Sequence, residues 1–191
     1  MRTSKRDRIL AAAVNVINRD GVRAVTFESV AAESGLTRGG LLYHFPSREA
    51  LLRGIDEHLV QNWEASMEAL LGKPAAEASA LERYRTFVQV SAQSATRAEL
   101  MFMLESVDAE AGERPWGPAV KRWAPSAPAE GAHDPAALDN FVARLAADGL
   151  WIYEAMYEGQ LDDSVRAQVA ERIAGLLSNT DGMDPVGKPL A

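Results

Sequence analysis

At 191 residues the chain is long enough for one ordinary domain, or for a small domain joined to a larger one. It has no cysteine, which excludes disulfides, thiolate metal sites and cysteine nucleophiles. The net charge of −7 argues against nucleic acid until the chain is divided: residues 1–54 carry nine Lys and Arg against five Asp and Glu (+4), and the remainder eleven against twenty-two (−11). Such asymmetry is expected when one segment meets a polyanion and the other does not.

Almost every segment reads as helix. Ser4 caps a first helix in which Ile9, Ala12, Ala13, Val16 and Ile17 recur at helical spacing up to Gly21. Thr26 caps a second, with Phe27, Val30 and Ala31 inward and Gly35 as its left-handed stop. Thr37 caps a short third helix that Pro46 closes. Ser47 caps a fourth that runs to Leu71, about 37 Å long, before Gly72 and Pro74. Helical patterns follow at 77–94 and 97–107, then a Pro/Gly/Ala-rich stretch holding one short helix at Val120–Trp123. Asp134-Pro135 opens a helix to Glu158, and a last helix covers 163–178. The fold expected is all-α, of about nine helices, with domains at 1–46 and 47–180 and a disordered tail at 181–191. No apolar run approaches the ~18 residues of a membrane span, and MRTSKRDR leads into no signal-type core, so a cytoplasmic protein without a membrane partner is expected.

The third helix has a peculiarity. Gly39 and Gly40 lie side by side in its first turn, where each costs about 1 kcal/mol relative to alanine. The turn Ser34-Gly35-Leu36 has the spacing of a helix-turn-helix, whose second helix enters the DNA major groove. Glycine there lets the backbone come close to DNA, and the first-turn N–H groups around Arg38 to Gly40 can donate to a phosphate.

The stretch TFESVAAESGLTRGGLLYHFPSREALL, residues 26–52, resembles the DNA-binding domain of TetR-type transcriptional regulators, and the likeness extends back to about Arg6. The nine-helix layout also resembles that family, whose last two helices form the dimer interface. The run LAADGLWI, 145–152, resembles a dimer-helix pattern of a branch that includes multidrug-binding repressors. Where the family commonly has a tyrosine, three residues before the closing phenylalanine, this chain has Leu42, which is expected to pack. The resemblance implies phosphate contacts from Tyr43 and His44. Thr26 and Thr37 are further phosphate candidates, Arg38 and Leu41 are placed to face bases, and Arg48 to grip the DNA backbone. Val30, Ala31, Leu36 and Phe45 read as core.

Elsewhere no phosphate loop, HExxH or GxSxG motif appears, and Glu154/Glu158 and Asp162/Asp163 are spaced for solvated faces and caps, so no enzyme is expected. His44, His58 and His133 lack ligand spacing for a metal, and no cofactor is implied. All four tryptophans lie beyond residue 54, and each needs an N–H partner if buried. Trp63, Phe87, Met101, Leu104, Trp123 and Trp151 are the candidates for a small-molecule pocket, with Glu105 and Asp108 nearby. A cationic aromatic ligand and a neutral lipophilic one both suit such a lining. Leu138, Val142, Leu145, Gly149, Ile152 and Met156 share one helical face, with Val169, Ile173 and Leu176 in the last helix, and suit a two-fold homodimer. The expected function is a dimeric repressor that binds a palindromic double-stranded operator and is released by a small aromatic or lipophilic inducer. The alternatives are a DNA-binding or partner-binding helical protein without a ligand, and, more remotely, an enzyme.

Overall fold

The computed structural model describes residues 4–93, 96–105, 115–130, 134–157 and 161–178. Among them are nine α-helices and no strand: Lys5–Asp20 (α1), Phe27–Ser34 (α2), Arg38–His44 (α3), Arg48–Leu71 (α4), Ala80–Gln93 (α5), Arg97–Glu105 (α6), Trp116–Trp123 (α7), Pro135–Tyr157 (α8) and Asp163–Ala174 (α9). The all-α fold expected from periodicity is the fold present. The expected tail at 181–191 lies outside the described residues, as do Asp108, His133 and Glu158.

The chain divides into two compact units, Met1–Trp63 with Thr96–Pro115, and Glu64–Ala95 with Trp116–Ala191. This division differs from the boundary at 46/47 drawn on the sequence. Helix α4 is shared between the units, and α6 belongs with the N-terminal helices.

In the first unit, α1 begins where the Asp7 N–H donates to Ser4 Oγ and ends at Gly21, whose φ of +84° excludes most other residues. Its apolar stripe, Ile9, Leu10, Ala13, Val16 and Ile17, is wholly buried. A 3-10 turn at Val22–Ala24 leads to α2. Thr26 and Ser29 cap α2 reciprocally, side chain to backbone in both directions, and Gly35 ends it in the left-handed region at φ +67°. Helix α1 packs on α2 and on α6, and α2 on α3. Helix α6 is tied down at its start, where the Ala98 N–H donates to Asn18 Oδ1 at 2.8 Å. Glu99 caps the same turn through Thr96, and its burial pushes its carboxyl above the usual carboxylate range.

In the second unit, α5 packs against α7, α8 and α9, and α8 against α9. Three boundaries differ from those expected. Helix α5 starts at Ala80 rather than 77, because the Glu82 N–H donates to Ser79 Oγ while Glu82 accepts from the Ser79 N–H. Helix α7 starts at Trp116, four residues early; Pro118 falls in its first turn, where no intrahelical N–H is needed. Helix α9 stops at Ala174 before Gly175, short of 178. Asp162 does cap α9, by accepting from the Ser164 N–H. Glu154, read as solvated, instead has a side chain only 9% exposed and paired at 3.0 Å with Arg166, which ties α8 to α9. Buried Asn140 adds a second tie, its amide exchanging two hydrogen bonds with the Ser178 main chain.

One contact in the first unit is close enough to test directly. Gly54 is buried in mid-α4, and a Cβ placed there would lie 2.6 Å from Phe45 Cε1. Alanine would gain about 1 kcal/mol in helix propensity, but overpacking a core costs typically about 1–3 kcal/mol. Gly54→Ala is therefore expected to lower unfolding free energy by about 1 kcal/mol in denaturant titration. Unchanged or increased stability would mean that the Phe45 ring swings aside freely.

Candidate functional site

Helices α2 and α3 are joined by the residues Gly35, Leu36 and Thr37, the short glycine-containing connection of a helix-turn-helix. The arrangement is braced from α1. Arg8 Nη2 donates to the Ser34 carbonyl at 2.9 Å. Glu33 accepts from Asn15 Nδ2 (3.3 Å) and from Arg19 Nη1 (3.1 Å), and these bonds hold its carboxyl below the usual range. Thr37 Oγ1 caps α3 by accepting from the Gly40 N–H at 3.2 Å, so this first-turn donor is already used within the chain.

Seven residues make fewer than two turns, and α3 buries one of its side chains completely. That residue is Leu41, at 0% exposure, which corrects its expected place facing bases. Leu42, expected to pack, is 39% exposed. The face turned outward presents Arg38, Gly39 and Tyr43, with Tyr43 86% exposed. Nothing lies within 4 Å of a Cβ built on Gly39, whereas one on Gly40 would meet Thr37 Oγ1 at 3.4 Å. No neighbour among the described residues requires Gly39. His44 is half-buried and meets Tyr43 edge to face, with ring centroids 5.2 Å apart. The Thr26 hydroxyl is exposed but engaged in the α2 cap, where it accepts from the Ser29 N–H.

Several basic residues behind the N-terminal net charge of +4 have partners in the chain itself. Arg48 Nε donates to the Val25 carbonyl at 2.9 Å and Nη2 to the Val22 carbonyl at 3.2 Å. Arg48, expected to grip the DNA backbone, thus spends these two donors on bracing α4 against the segment before α2. Arg6 lies over the Phe45 ring at 5.3 Å and is 3.7 Å from Glu57. Arg38 Nη1 lies 3.3 Å from Glu28 Oε1 in the first turn of α2. Glu28 carries no local sequence signal of a site residue, since an acid in a helix's first turn already suits the helix dipole.

The residues named for ligand contact fall in both units. In the first, Trp63 is buried, Met101 half-buried and Leu104 63% exposed, while the Glu105 side chain lies outside the description. In the second, Phe87 and Trp123 are buried and Trp151 is half-buried. Trp123 has the N–H partner its burial demands: Nε1 donates to Glu64 Oε1 at 3.3 Å, an oxygen that also accepts from Arg122 Nε and Nη2. A groove of about 700 Å³ between α5 and α9 is lined by Arg85, Gln89, Gln93, Arg166 and Glu171 among others, and by none of the named ligand residues. On α8, Leu138, Val142, Leu145, Ile152 and Met156 are all exposed, Leu145 by 54%, and nothing lies within 4 Å of a Cβ on Gly149. On α9, Val169 is half-buried but Ile173 is buried and turned to the unit's own core, and Leu176, two residues past the helix, is exposed. Among the described residues, no group of His, Asp and Glu is arranged to hold a metal, and no helix is long and apolar enough to cross a membrane.

Comparison with known proteins agrees with this geometry. The family profile described as "Bacterial regulatory proteins, tetR family" matches residues 9–55, and that described as "Tetracyclin repressor-like, C-terminal domain" matches residues 81–178. The HTH-type transcriptional regulator RutR of Escherichia coli (strain K12) is 29% identical over 103 residues, 54% of this chain and 48% of RutR. The match thus spans about half the length of this curated relative. A protein of Saccharomonospora viridis, solved in complex with choline, superposes with a TM-score of 0.65 at 22% identity, covering 89% of this chain and 93% of its own. AibR, solved with isovaleryl coenzyme A and operator DNA, gives a TM-score of 0.59 at 20% identity, covering 91% and 98%. At these identities the structural likeness is one of fold. With one profile covering the helix-turn-helix and the other spanning more than half of the chain, the protein belongs to the TetR family of bacterial regulatory proteins.

Proposed function

We propose that the chain is a ligand-responsive transcriptional regulator, most simply a repressor, whose dimer binds a palindromic operator and is released by a small aromatic or lipophilic molecule. The observation that carries the DNA reading is the outward face of α3. A helical glycine with empty space beside it and a tyrosine at 86% exposure have no use inside the unit. Both suit a helix whose partner is an external surface such as the major groove. Arg38 then reads base edges, with Tyr43, His44, Thr26 and Thr37 toward phosphates.

The exposed α8 stripe supports the dimer. Leu138, Val142, Leu145, Ile152 and Met156 recur at intervals of four, three, seven and four residues, an apolar face that a second copy would cover across a two-fold axis. Half-site centres should fall about 34–36 Å apart, or a multiple of this. Ligand contact is proposed within the second unit, for half-buried Trp151 and for Phe87. Trp123, with its N–H already satisfied, serves as framework. Choline and isovaleryl coenzyme A in proteins of the same fold support a small-molecule effector, cationic or acyl-bearing, without choosing between them. Helix α4, continuous from Arg48 to Leu71, belongs to both units and is one element through which ligand and operator can be coupled.

Three measurements test these readings. Selection from a randomised duplex library should yield an inverted repeat, and Leu145→Glu should both give monomers in sedimentation and abolish that symmetry. A Leu145→Glu chain that remains dimeric would move the interface off α8. Gly39→Ala should raise unfolding free energy by about 1 kcal/mol while weakening operator affinity, since the methyl group sits on the DNA side. Gain of stability without loss of affinity would place Gly39 away from DNA. A compound that quenches tryptophan fluorescence should lose affinity in the presence of the selected operator by the same factor by which it weakens operator binding, because such coupling is reciprocal. Quenching with operator affinity unchanged would separate the ligand from regulation.

A further inference from the structure

We propose that Glu28 is a specificity-determining residue of the DNA-reading surface, paired with Arg38 to read a guanine and a cytosine on neighbouring base pairs. The proposal rests on the DNA-binding reading above. It starts from a charge in an unexpected place. Arg38 is the first residue of α3, and residues at the start of a recognition helix are the ones that meet base edges. Glu28 Oε1 lies 3.3 Å from Arg38 Nη1, so the carboxylate shares that surface.

A carboxylate there is repelled by phosphates, which supply most of the affinity of DNA-binding proteins. Stability does not explain it: the two side chains are 67% and 65% exposed, and pairs so exposed contribute little. An acid in the first turn of α2 does suit the helix dipole, but that benefit needs no particular direction of the side chain. The observed direction is toward Arg38.

The chemistry of the pair suits the major groove. With Nη1 held by Glu28, the guanidinium keeps further N–H groups in a fixed fork, and such a fork matches guanine O6 and N7. Cytosine offers an N4 amino donor that a carboxylate accepts, whereas guanine O6 and thymine O4 turn an acceptor toward it. Glu28 would therefore work largely by rejection. It penalises the wrong neighbour of the guanine, and it lowers affinity for DNA of unrelated sequence.

The experiment is selection from a randomised duplex library with the full chain, comparing wild type, Glu28→Gln, Glu28→Ala and Arg38→Ala, each checked for folding by circular dichroism. Wild type should enrich half-sites with a guanine flanked by cytosine, and Arg38→Ala should lose the guanine. Glu28→Ala should keep the guanine, relax the cytosine and bind a scrambled duplex severalfold more tightly. Glu28→Gln, nearly isosteric, should replace the cytosine preference with adenine, since an amide pairs with adenine N6 and N7. It keeps the test valid should the alanine variant misfold. If both Glu28 variants select the wild-type motif with an unchanged ratio of specific to scrambled binding, the proposal is overturned alone. If wild type enriches no motif, the DNA-binding reading falls with it.

Discussion

The placing of the recognition helix depends on one packed contact at its C-terminal end. Phe45 is buried directly after α3, and its ring lies where any side chain at position 54 of α4 would have to go. Leu41, one turn earlier, is buried in the same unit, so α3 is held by two apolar side chains along a length of seven residues. A helix this short has little stability of its own and takes its orientation from what it packs on. Arg48 strengthens the same corner by donating to the Val22 and Val25 carbonyls, and Arg6 covers the outer face of the Phe45 ring. Cations that look available for DNA when counted in the sequence are thus part of the device that aims the helix.

This reframes the electrostatics of the N-terminal unit. Arg8, Arg19 and Arg48 each satisfy main-chain or side-chain acceptors inside the unit, and Arg38 faces an acid. On the proposed reading of α3 as the DNA-facing helix, approach to a polyanion relies less on total charge than on shape: an outward helix, an exposed tyrosine and a gap beside Gly39. A surface organised in this way trades non-specific attraction for discrimination, because screened charges act at a distance while bare backbone and aromatic edges act only on contact.

The helices and most of their ends were legible because they follow from local chemistry. Ser4, Thr26, Thr37 and Asp162 cap as their side chains require, and Gly35 takes the left-handed conformation. What could not be read depends on contacts between residues far apart in sequence. The rotation of α3 was misjudged by one position, which exchanged the roles of Leu41 and Leu42; fewer than two turns give no period from which to fix a face. Glu154 looked like a surface acid because its partner, Arg166, lies on the next helix. Gly54 carries no local signal in the sequence, and only the Phe45 ring explains it. In the candidate site, Arg38, Gly39 and Tyr43 are exposed, and nothing local in the sequence marks Glu28 as the partner of Arg38.

The docking of α6 has a consequence for how such proteins can be recombined. The first unit is discontinuous, since α1 receives the Ala98 N–H from a helix that begins some eighty residues later, and Gly21 faces Met101 Cε across the same junction. A DNA-reading head cut from this chain by one junction within α4 would leave the Asn18 acceptor without its donor and uncover the surface beneath Met101. Exchange of heads between relatives therefore calls for three junctions, one on each side of residues 64–95 and one after residue 115, or for compensating changes on α1. Lineages that swap heads by a single crossover should carry those changes at Asn18 and Gly21 before they appear anywhere on the recognition helix.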